Sequence, residues 1–209
     1  MAKLYTNICI LAASLLLSGC ASSSSSTQSQ TVADFFPLVQ GQAIGEVHFP
    51  EGDTEHGGQG QVIDEIPPSQ MEETNYHVHA HVSLFVNGKQ IMIPKGIGIM
   101  KPWVVENNFI RHGNSLYWLH THDSSGIIHI ESPVETKFTL GNFFDIWGKP
   151  LNSDNIAGFQ GPVHVYVNTV PFSGDPRNIV LKSHEEITLE VGTPVVAPPV
   201  YSFPPELFQ

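Results

Sequence analysis

The pattern that most constrains the fold lies between His77 and Val86, where apolar and polar residues alternate with a period of two. Alternate residues of a strand point to opposite faces of a sheet, so this pattern predicts a strand with one face towards the core. The core face carries Val78, Ala80, Val82, Leu84 and Val86. The opposite face carries His77, His79, His81, Ser83 and Phe85. Asn87-Gly88 is typical of a type I′ turn, and Lys89–Ile93 returns to complete a predicted β-hairpin.

A second segment, Leu119–Glu131, holds three further histidines and also predicts a hairpin. Asp123-Ser124-Ser125-Gly126 has turn chemistry between a strand over Ser115–His122 and a returning strand over Ile127–Glu131. A loop with an even number of residues pairs His122 with Ile127 and His120 with His129. The shared polar face then holds His120, His122, His129 and Glu131. The apolar residues Leu119, Ile128 and Ile130 favour this register because they fall together on the opposite face.

Six histidines on two strand faces therefore form a candidate metal-binding set: His77, His79, His81, His120, His122 and His129. Residues two apart on a strand share a face, and imidazole nitrogen binds zinc, copper, iron and nickel. If the two histidine-bearing strand faces lie next to each other, they form one metal site or two adjacent sites. Asp123 and Glu131 are predicted either to orient the imidazoles as hydrogen-bond acceptors or to ligate directly. The alternative is a polar strand face that uses histidine without binding metal.

Cysteine usage narrows the choice of metal. The chain has two cysteines, Cys9 and Cys20, and both precede the predicted domain, which excludes thiolate copper, zinc and iron–sulfur sites within it. After the leader the methionines are Met71, Met92 and Met100, with no methionine-rich run typical of Cu(I) carriers. Nitrogen and oxygen donors leave Cu(II), Zn(II), Fe(II) or Ni(II), and intrinsic affinity favours copper. We therefore expect copper first and zinc second, with iron as a further alternative.

The remaining elements predict an α+β fold that is mostly β, built from antiparallel hairpins with one short helix. The helix begins after Thr139 as N-cap and ends at Gly148 and Pro150. Its apolar stripe consists of Leu140, Phe143, Phe144 and Trp147. Two strands follow, over Val163–Val167 and Glu186–Val191. His164 alternates with valines on the first of these strands and points away from the core.

The N-terminal residues predict export. Lys3 precedes an apolar stretch, Ile8–Leu17, that is too short to span a bilayer comfortably and is typical of a signal peptide. Leu17-Ser18-Gly19-Cys20 resembles the lipobox of bacterial lipoproteins, which implies cleavage before Cys20, a diacylglycerol on its sulfur, and palmitate among the acyl chains of the anchor. The expected location is the cell envelope, lipid-anchored at the outer membrane or periplasmic face. The alternative is an ordinary secretory signal with a chance cysteine.

The predicted organisation has four parts: a signal peptide (1–19), a lipid-anchored polar tether (20–45), a single β-rich metal-binding domain (46–192) and a proline-rich tail (193–209). Without residues 1–19 the chain keeps all 20 Asp and Glu and loses one of its nine Lys and Arg, Lys3, so its formal charge changes from −11 to −12. Such a charge repels nucleic acid and suits cations. The expected partners are a membrane, a metal ion and an envelope protein, with no nucleic acid.

Three motifs together resemble a family of exported or membrane-anchored prokaryotic proteins without an established activity. They are His77-x-His79-x-His81; Leu119-His120-Thr121-His122-Asp123 with Gly126-Ile127-Ile128-His129-Ile130-Glu131-Ser132; and Phe138-Thr139-Leu140-Gly141-x-Phe143-Phe144-x-x-Trp147-Gly148. The resemblance runs from about residue 76 to 192 and implies no catalytic residues. From residue 115 onward, the order hairpin, helix, strand, strand also resembles the β-grasp (ubiquitin-like) arrangement.

Three functions fit these patterns. The first is a metal carrier that captures, buffers or delivers copper or zinc, and the sequence favours it. The second is a metalloenzyme, an oxidase, oxygenase or hydrolase, which needs an open coordination position at the base of a pocket. The third is a β-grasp interaction module with incidental histidines. The sequence contains no HExxH zinc helix and no nucleotide-binding loop that would favour a hydrolase.

Overall fold

The fold is organised around one long strand, Tyr76–Val86, which carries the period-two pattern. In the computed structural model, which describes residues 35–207, the chain forms sixteen strands, one α-helix and two 3₁₀ helices. The strands are β1 (Phe35–Pro37), β2 (Pro68–Ser69), β3 (Tyr76–Val86), β4 (Lys89–Ile91), β5 (Ile99–Met100), β6 (Val104–Glu106), β7 (Phe109–His112), β8 (Ser115–Tyr117), β9 (Leu119–His120), β10 (Ile127–Ser132), β11 (Asn155–Ile156), β12 (Phe159–Gln160), β13 (Val163–Val167), β14 (Val170–Pro171), β15 (Glu186–Val191) and β16 (Val200–Ser202). The helix α1 is Leu140–Trp147, and the 3₁₀ helices are Pro176–Asn178 and Pro205–Leu207. The predicted class, α+β and mostly β, is confirmed.

The main sheet has the strand order β14-β13-β15-β3-β10-β9, and β4 pairs with the end of β3 beyond β10. Every pair in it is antiparallel except β3 with β15, which is parallel. The predicted order of hairpin, helix, strand and strand is present. The last strand, β15, pairs with β3 instead of with the 115–132 hairpin, because β10 is already occupied by β3 and β9 on its two edges.

The aliphatic face of this sheet is buried against α1, in one core that joins Ala80, Val82 and Leu84 to the helix side chains. Thr139 caps the helix as predicted: its side chain accepts from the backbone N–H of Asn142, whose side chain accepts from the Thr139 N–H. Gly148 ends the helix in the left-handed conformation, with φ 76°. The predicted apolar stripe, Leu140, Phe143, Phe144 and Trp147, is completely buried.

The predicted strand over 115–122 is divided into β8 and β9 and ends at His120. Beyond that residue the backbone pairs with other segments. The Thr121 N–H donates to the Ile97 carbonyl, and the His122 carbonyl accepts from the Ile110 N–H. His122 therefore leaves the β10 ladder, although the register predicted for the hairpin, His120 opposite His129, is confirmed.

The two ends of the described chain pack together on the histidine face of the sheet. Strands β1 and β16 form a parallel pair, and Leu38, Tyr201 and Phe203 are buried in a small apolar cluster with Ile127. Residues 35–45, predicted as part of the tether, and most of the proline-rich tail therefore belong to the packed unit. The predicted signal peptide and Cys20 lie outside the described residues. Between residues 35 and 207, no helix has the length and apolar character needed to cross a membrane.

We predict that Phe143→Ala lowers the free energy of unfolding by about 3–5 kcal/mol, because it removes a fully buried ring and leaves a cavity between helix and sheet. Urea denaturation followed by tryptophan fluorescence measures the change. Val170→Ala, at an exposed strand position, is the control and should stay within about 0.5 kcal/mol of the wild type. Equal midpoints for the two variants would contradict the assigned core.

Candidate metal centre

The strand register brings the two histidine segments together on the polar face of the sheet. His129 of β10 lies opposite His79 of β3 on one side and His120 of β9 on the other. In the adjacent row, Glu131 lies opposite His77. Because neighbouring strands are about 4.8 Å apart, these side chains are close enough to bind a common ion.

Four of these residues, which we call the inner group, are buried: His120, His122, His129 and Glu131. Each offers one ligand atom, and these atoms all lie within 4.8 Å of one another. His120 is completely inaccessible, and Glu131 is 1% exposed. Three imidazole nitrogens and one carboxylate oxygen could thus hold a metal ion.

Backbone contacts fix the tautomers of two inner histidines. His120 Nδ1 lies 2.8 Å from the Tyr117 carbonyl oxygen, and His122 Nδ1 contacts the Ile110 carbonyl oxygen. A carbonyl only accepts, so in each ring Nδ1 carries the hydrogen and Nε2 keeps a lone pair. The two Nε2 atoms face each other at 2.9 Å. Two lone pairs at that distance repel, and a cation bound by both would remove the repulsion. Donation of the second ring nitrogen to a backbone carbonyl is the usual arrangement of metal-ligating histidine.

Glu131 places a carboxylate among the imidazoles. Its Oε1 lies 3.1 Å from His77 Nε2, 3.6 Å from His129 Nδ1 and 3.7 Å from His120 Nε2. Burial acts to raise the pKa of Glu131, but the histidines around it, His120 foremost, outweigh burial and lower that pKa. The buried carboxylate therefore keeps its negative charge at neutral pH, and a bound cation would compensate it.

The inner histidines are neutral at neutral pH, as metal ligands must be. Burial lowers the pKa of His120 to about 3. Burial, followed by the proximity of His122, lowers the pKa of His129 well below its ordinary value. Burial also lowers the pKa of His122.

A second set, which we call the outer group, consists of His77, His79 and His129, whose ligand atoms also lie within 4.8 Å of one another. His129 belongs to both groups. The His77 side chain is 37% exposed, and the Glu131 carboxylate, 3.1 Å from its Nε2, raises its pKa. Burial lowers the pKa of His79 to about 4.

Two of the predicted site residues lie outside both groups. His81 Nε2 is 2.9 Å from the Ser125 carbonyl oxygen, and the ring packs 4.2 Å from the ring of Tyr201, under the C-terminal segment. Asp123 organises the turn instead: its carboxylate accepts from the N–H of Gly41 and from both the N–H and the hydroxyl of Ser125. Glu131, predicted as either an orienting acceptor or a ligand, belongs to the inner group, where its carboxylate oxygen could bind an ion directly.

Several contacts to the site have no signal in the sequence. The Phe109 ring stacks on His122 with an interplanar angle of 5° and a centroid separation of 4.6 Å. Glu72 Oε1 lies 3.7 Å from His122 Nε2. A cavity of about 280 Å³ adjoins His122 on this side and is lined in part by Glu72, Arg111 and His112. These residues come from loops and a short hairpin without periodic patterns, so only the tertiary structure reveals them.

No protein-family model, curated protein or solved structure matches this chain.

We predict that the metal-free protein is less stable at about pH 5 than at about pH 7.5. His79, His81 and His120 have folded-state pKa values of about 4, 4 and 3, whereas histidine in the unfolded chain titrates near 6.5. Between these values the unfolded state binds more protons than the folded state. The free energy of unfolding therefore has its full value above about pH 6.5 and falls as the pH drops towards 4. The raised pKa of His77 acts in the opposite direction, but the lowered pKa values of His122 and His129 act in the same direction as those three.

Urea midpoints measured with EDTA present at the two pH values test this prediction. His164→Ala removes an exposed strand histidine and should leave the pH dependence unchanged. A midpoint that is equal or higher at the acidic pH would contradict burial of neutral histidines.

Proposed function

We propose that this protein is a lipid-anchored, metal-binding protein of the cell envelope that holds one transition-metal ion in the inner group, for metal capture, buffering or delivery. The observation that carries the proposal is the pair of Nε2 atoms of His120 and His122, 2.9 Å apart, both left with lone pairs by their backbone contacts. Glu131 supplies the negative charge that such an ion would neutralise.

The spacing of the donor atoms supports a four-coordinate ion. With bonds of about 2.0–2.1 Å, neighbouring donor atoms lie about 2.9 Å apart in the square plane that Cu(II) prefers and about 3.3 Å apart in the tetrahedron that Zn(II) prefers. The separations of 2.9 Å between the two Nε2 atoms and 3.6–3.7 Å from His129 and His120 to Glu131 span both values. Small side-chain adjustments would close the set around an ion.

We propose copper as the metal, with zinc next and iron as a further alternative. Imidazole and carboxylate donors suit all three, and the order of intrinsic affinities favours Cu(II) over Zn(II) and Fe(II). The inner group contains no sulfur donor, which argues against a site specialised for Cu(I).

Retention of the ion, rather than catalysis, is favoured because the inner group supplies four protein donors, which is enough to fill a four-coordinate shell. Catalytic zinc sites usually keep one position for water or substrate, whereas closed sites use four protein ligands. A metalloenzyme, either an oxidase or oxygenase or a hydrolase, is the second candidate. The cavity beside His122 favours it, with the Glu72 carboxylate as an acid or base.

The location rests on the N-terminal motif Leu17-Ser18-Gly19-Cys20 and the polar residues that follow it. We propose export, cleavage before Cys20 and lipidation of its sulfur, so that the packed unit is tethered to the outer membrane or faces the periplasm. The acidic charge of the chain would attract cations and disfavour nucleic acid. An envelope protein that supplies or receives the ion is the proposed partner.

We predict that the purified protein, offered Cu(II), Zn(II) and Fe(II) in anaerobic competition, retains one copper ion per chain. His120→Ala/His122→Ala should retain less than about a tenth of that amount, because two of the four donors are lost. Metal content after gel filtration is the measurement. His164→Ala is the matched control and should bind as the wild type does.

Glu131→Gln, which keeps the shape of the side chain and removes its charge, provides a second variant if the double variant fails to fold. Equal retention by the wild type and both ligand variants would refute the inner group as the metal site.

Addition of azide to the Cu(II) protein distinguishes the carrier from the metalloenzyme. An unchanged EPR spectrum indicates a closed site, and a changed spectrum indicates the open position of an enzyme.

We also predict that Cys20→Ala releases the protein from the membrane fraction of a lipoprotein-processing bacterial host, because the anchored sulfur is removed. Cys9→Ala is the control and should remain in the membrane fraction. Incorporation of labelled palmitate, followed by fractionation, measures both. Palmitate on the Cys20→Ala protein would contradict the proposed anchor.

A further inference from the structure

The histidines form a continuous row from the surface of the protein to the inner group. The His77 side chain is 37% exposed, His79 and His129 are both buried, and His120 is completely inaccessible. Successive ring centroids are 4.6 Å apart from His77 to His79, 4.6 Å from His79 to His129, and 5.5 Å from His129 to His120. His77, a member of the outer group, is the solvent-exposed end of this row.

We propose that the outer group, His77, His79 and His129, is a second metal-binding position through which an ion reaches and leaves the inner group. The inference rests on the proposed function, since it concerns the same ion and the same face of the sheet. His129 is the ligand common to the two positions.

The shared ligand makes transfer by exchange of donors possible. An ion held by His77, His79 and His129 can keep its bond to His129 while His120 and His122 replace the other two. At each end of the path the ion has at least three protein donors, so it is never released into the interior without ligands. Glu131 Oε1 lies 3.1 Å from His77 Nε2 and 3.7 Å from His120 Nε2, so its negative charge is close to both positions.

One ion occupies the pair of positions at a time. A neutral imidazole carries a hydrogen on one nitrogen, so His129 binds one ion unless it loses that hydrogen as well. Two divalent cations this close would also repel, with one carboxylate between them to offset the repulsion. The inner position is favoured at rest because it adds the Glu131 carboxylate to its nitrogen donors.

The cavity beside His122 offers the competing route, and the contacts there disfavour it. Within residues 35–207, Glu72 is the carboxylate that lies near His122 Nε2 on that side. The His122 ring is held by its bond to the Ile110 carbonyl and by the stacked ring of Phe109, so it cannot readily turn outward with an ion. The outer group offers an incoming ion three nitrogen donors, whereas the cavity beside His122 offers the single carboxylate of Glu72.

Rates of copper loading and release test the proposal. Aqueous Cu(II) is mixed with the metal-free protein, and EDTA with the copper-loaded protein, in a stopped-flow instrument that follows the copper absorbance or tryptophan quenching. We expect His79→Ala to slow both steps by about tenfold or more, the usual scale for losing a group that supports a metal site. It should still bind one copper at equilibrium. His77→Ala, which alters a half-exposed residue, should fold normally and show the same effect in smaller measure.

His164→Ala and Glu72→Gln are the controls, the second for the competing route, and both should load and release at wild-type rates. The inference is overturned if His77→Ala and His79→Ala keep wild-type rates, if Glu72→Gln alone slows them, or if the wild type binds two coppers at once. In each of those cases copper is still bound, so the proposal of a metal-binding protein stands, although two coppers would also contradict the predicted stoichiometry of one per chain. A wild-type protein that binds none of copper, zinc and iron overturns both proposals together.

Discussion

The pairing of β10 with β3 on one edge and with β9 on the other is the interaction on which the rest of the structure depends. It aligns His79, His129 and His120 across three strands and places Ile128 and Ile130 on the opposite face. Both isoleucines are completely buried, and each contributes about 1.5–3 kcal/mol by its burial. A slip of one residue would expose these isoleucines and turn the histidines into the core. The aliphatic face therefore fixes the geometry of the polar face.

That polar face is costly for the metal-free protein. Buried polar groups without full partners destabilise a fold by about 1–3 kcal/mol each, and Glu131 is a charge in a nearly inaccessible position. The core around α1 must offset this cost, since the described residues include no disulfide and no thiol. On the proposed function, a bound ion adds about 2.7 kcal/mol of stability at a free concentration of one hundred times its Kd. The ion would thus stabilise the same residues that bind it.

The sequence predicted those parts of the fold that depend on local patterns. The alternation along β3, the stripe of α1 with its cap at Thr139, and the pairing of His120 with His129 are confirmed because each follows from residue spacing within one element. The departure of His122 from its strand was not predictable, since a contact to the Ile110 carbonyl twelve residues earlier determines it.

Contacts between residues remote in sequence also explain why two predicted ligands, Asp123 and His81, lie outside both groups. Asp123 and His81 have the chemistry and the spacing of metal ligands. Asp123, however, accepts a hydrogen bond from the N-terminal segment, and the C-terminal segment covers His81. Both segments were predicted to lie outside the domain. A side chain is available to a metal only if no other part of the chain binds it first, and that competition is decided by contacts remote in sequence. The inner group satisfies this condition: backbone carbonyls occupy Nδ1 of His120 and His122 and leave the two Nε2 atoms facing each other, beside the carboxylate of Glu131.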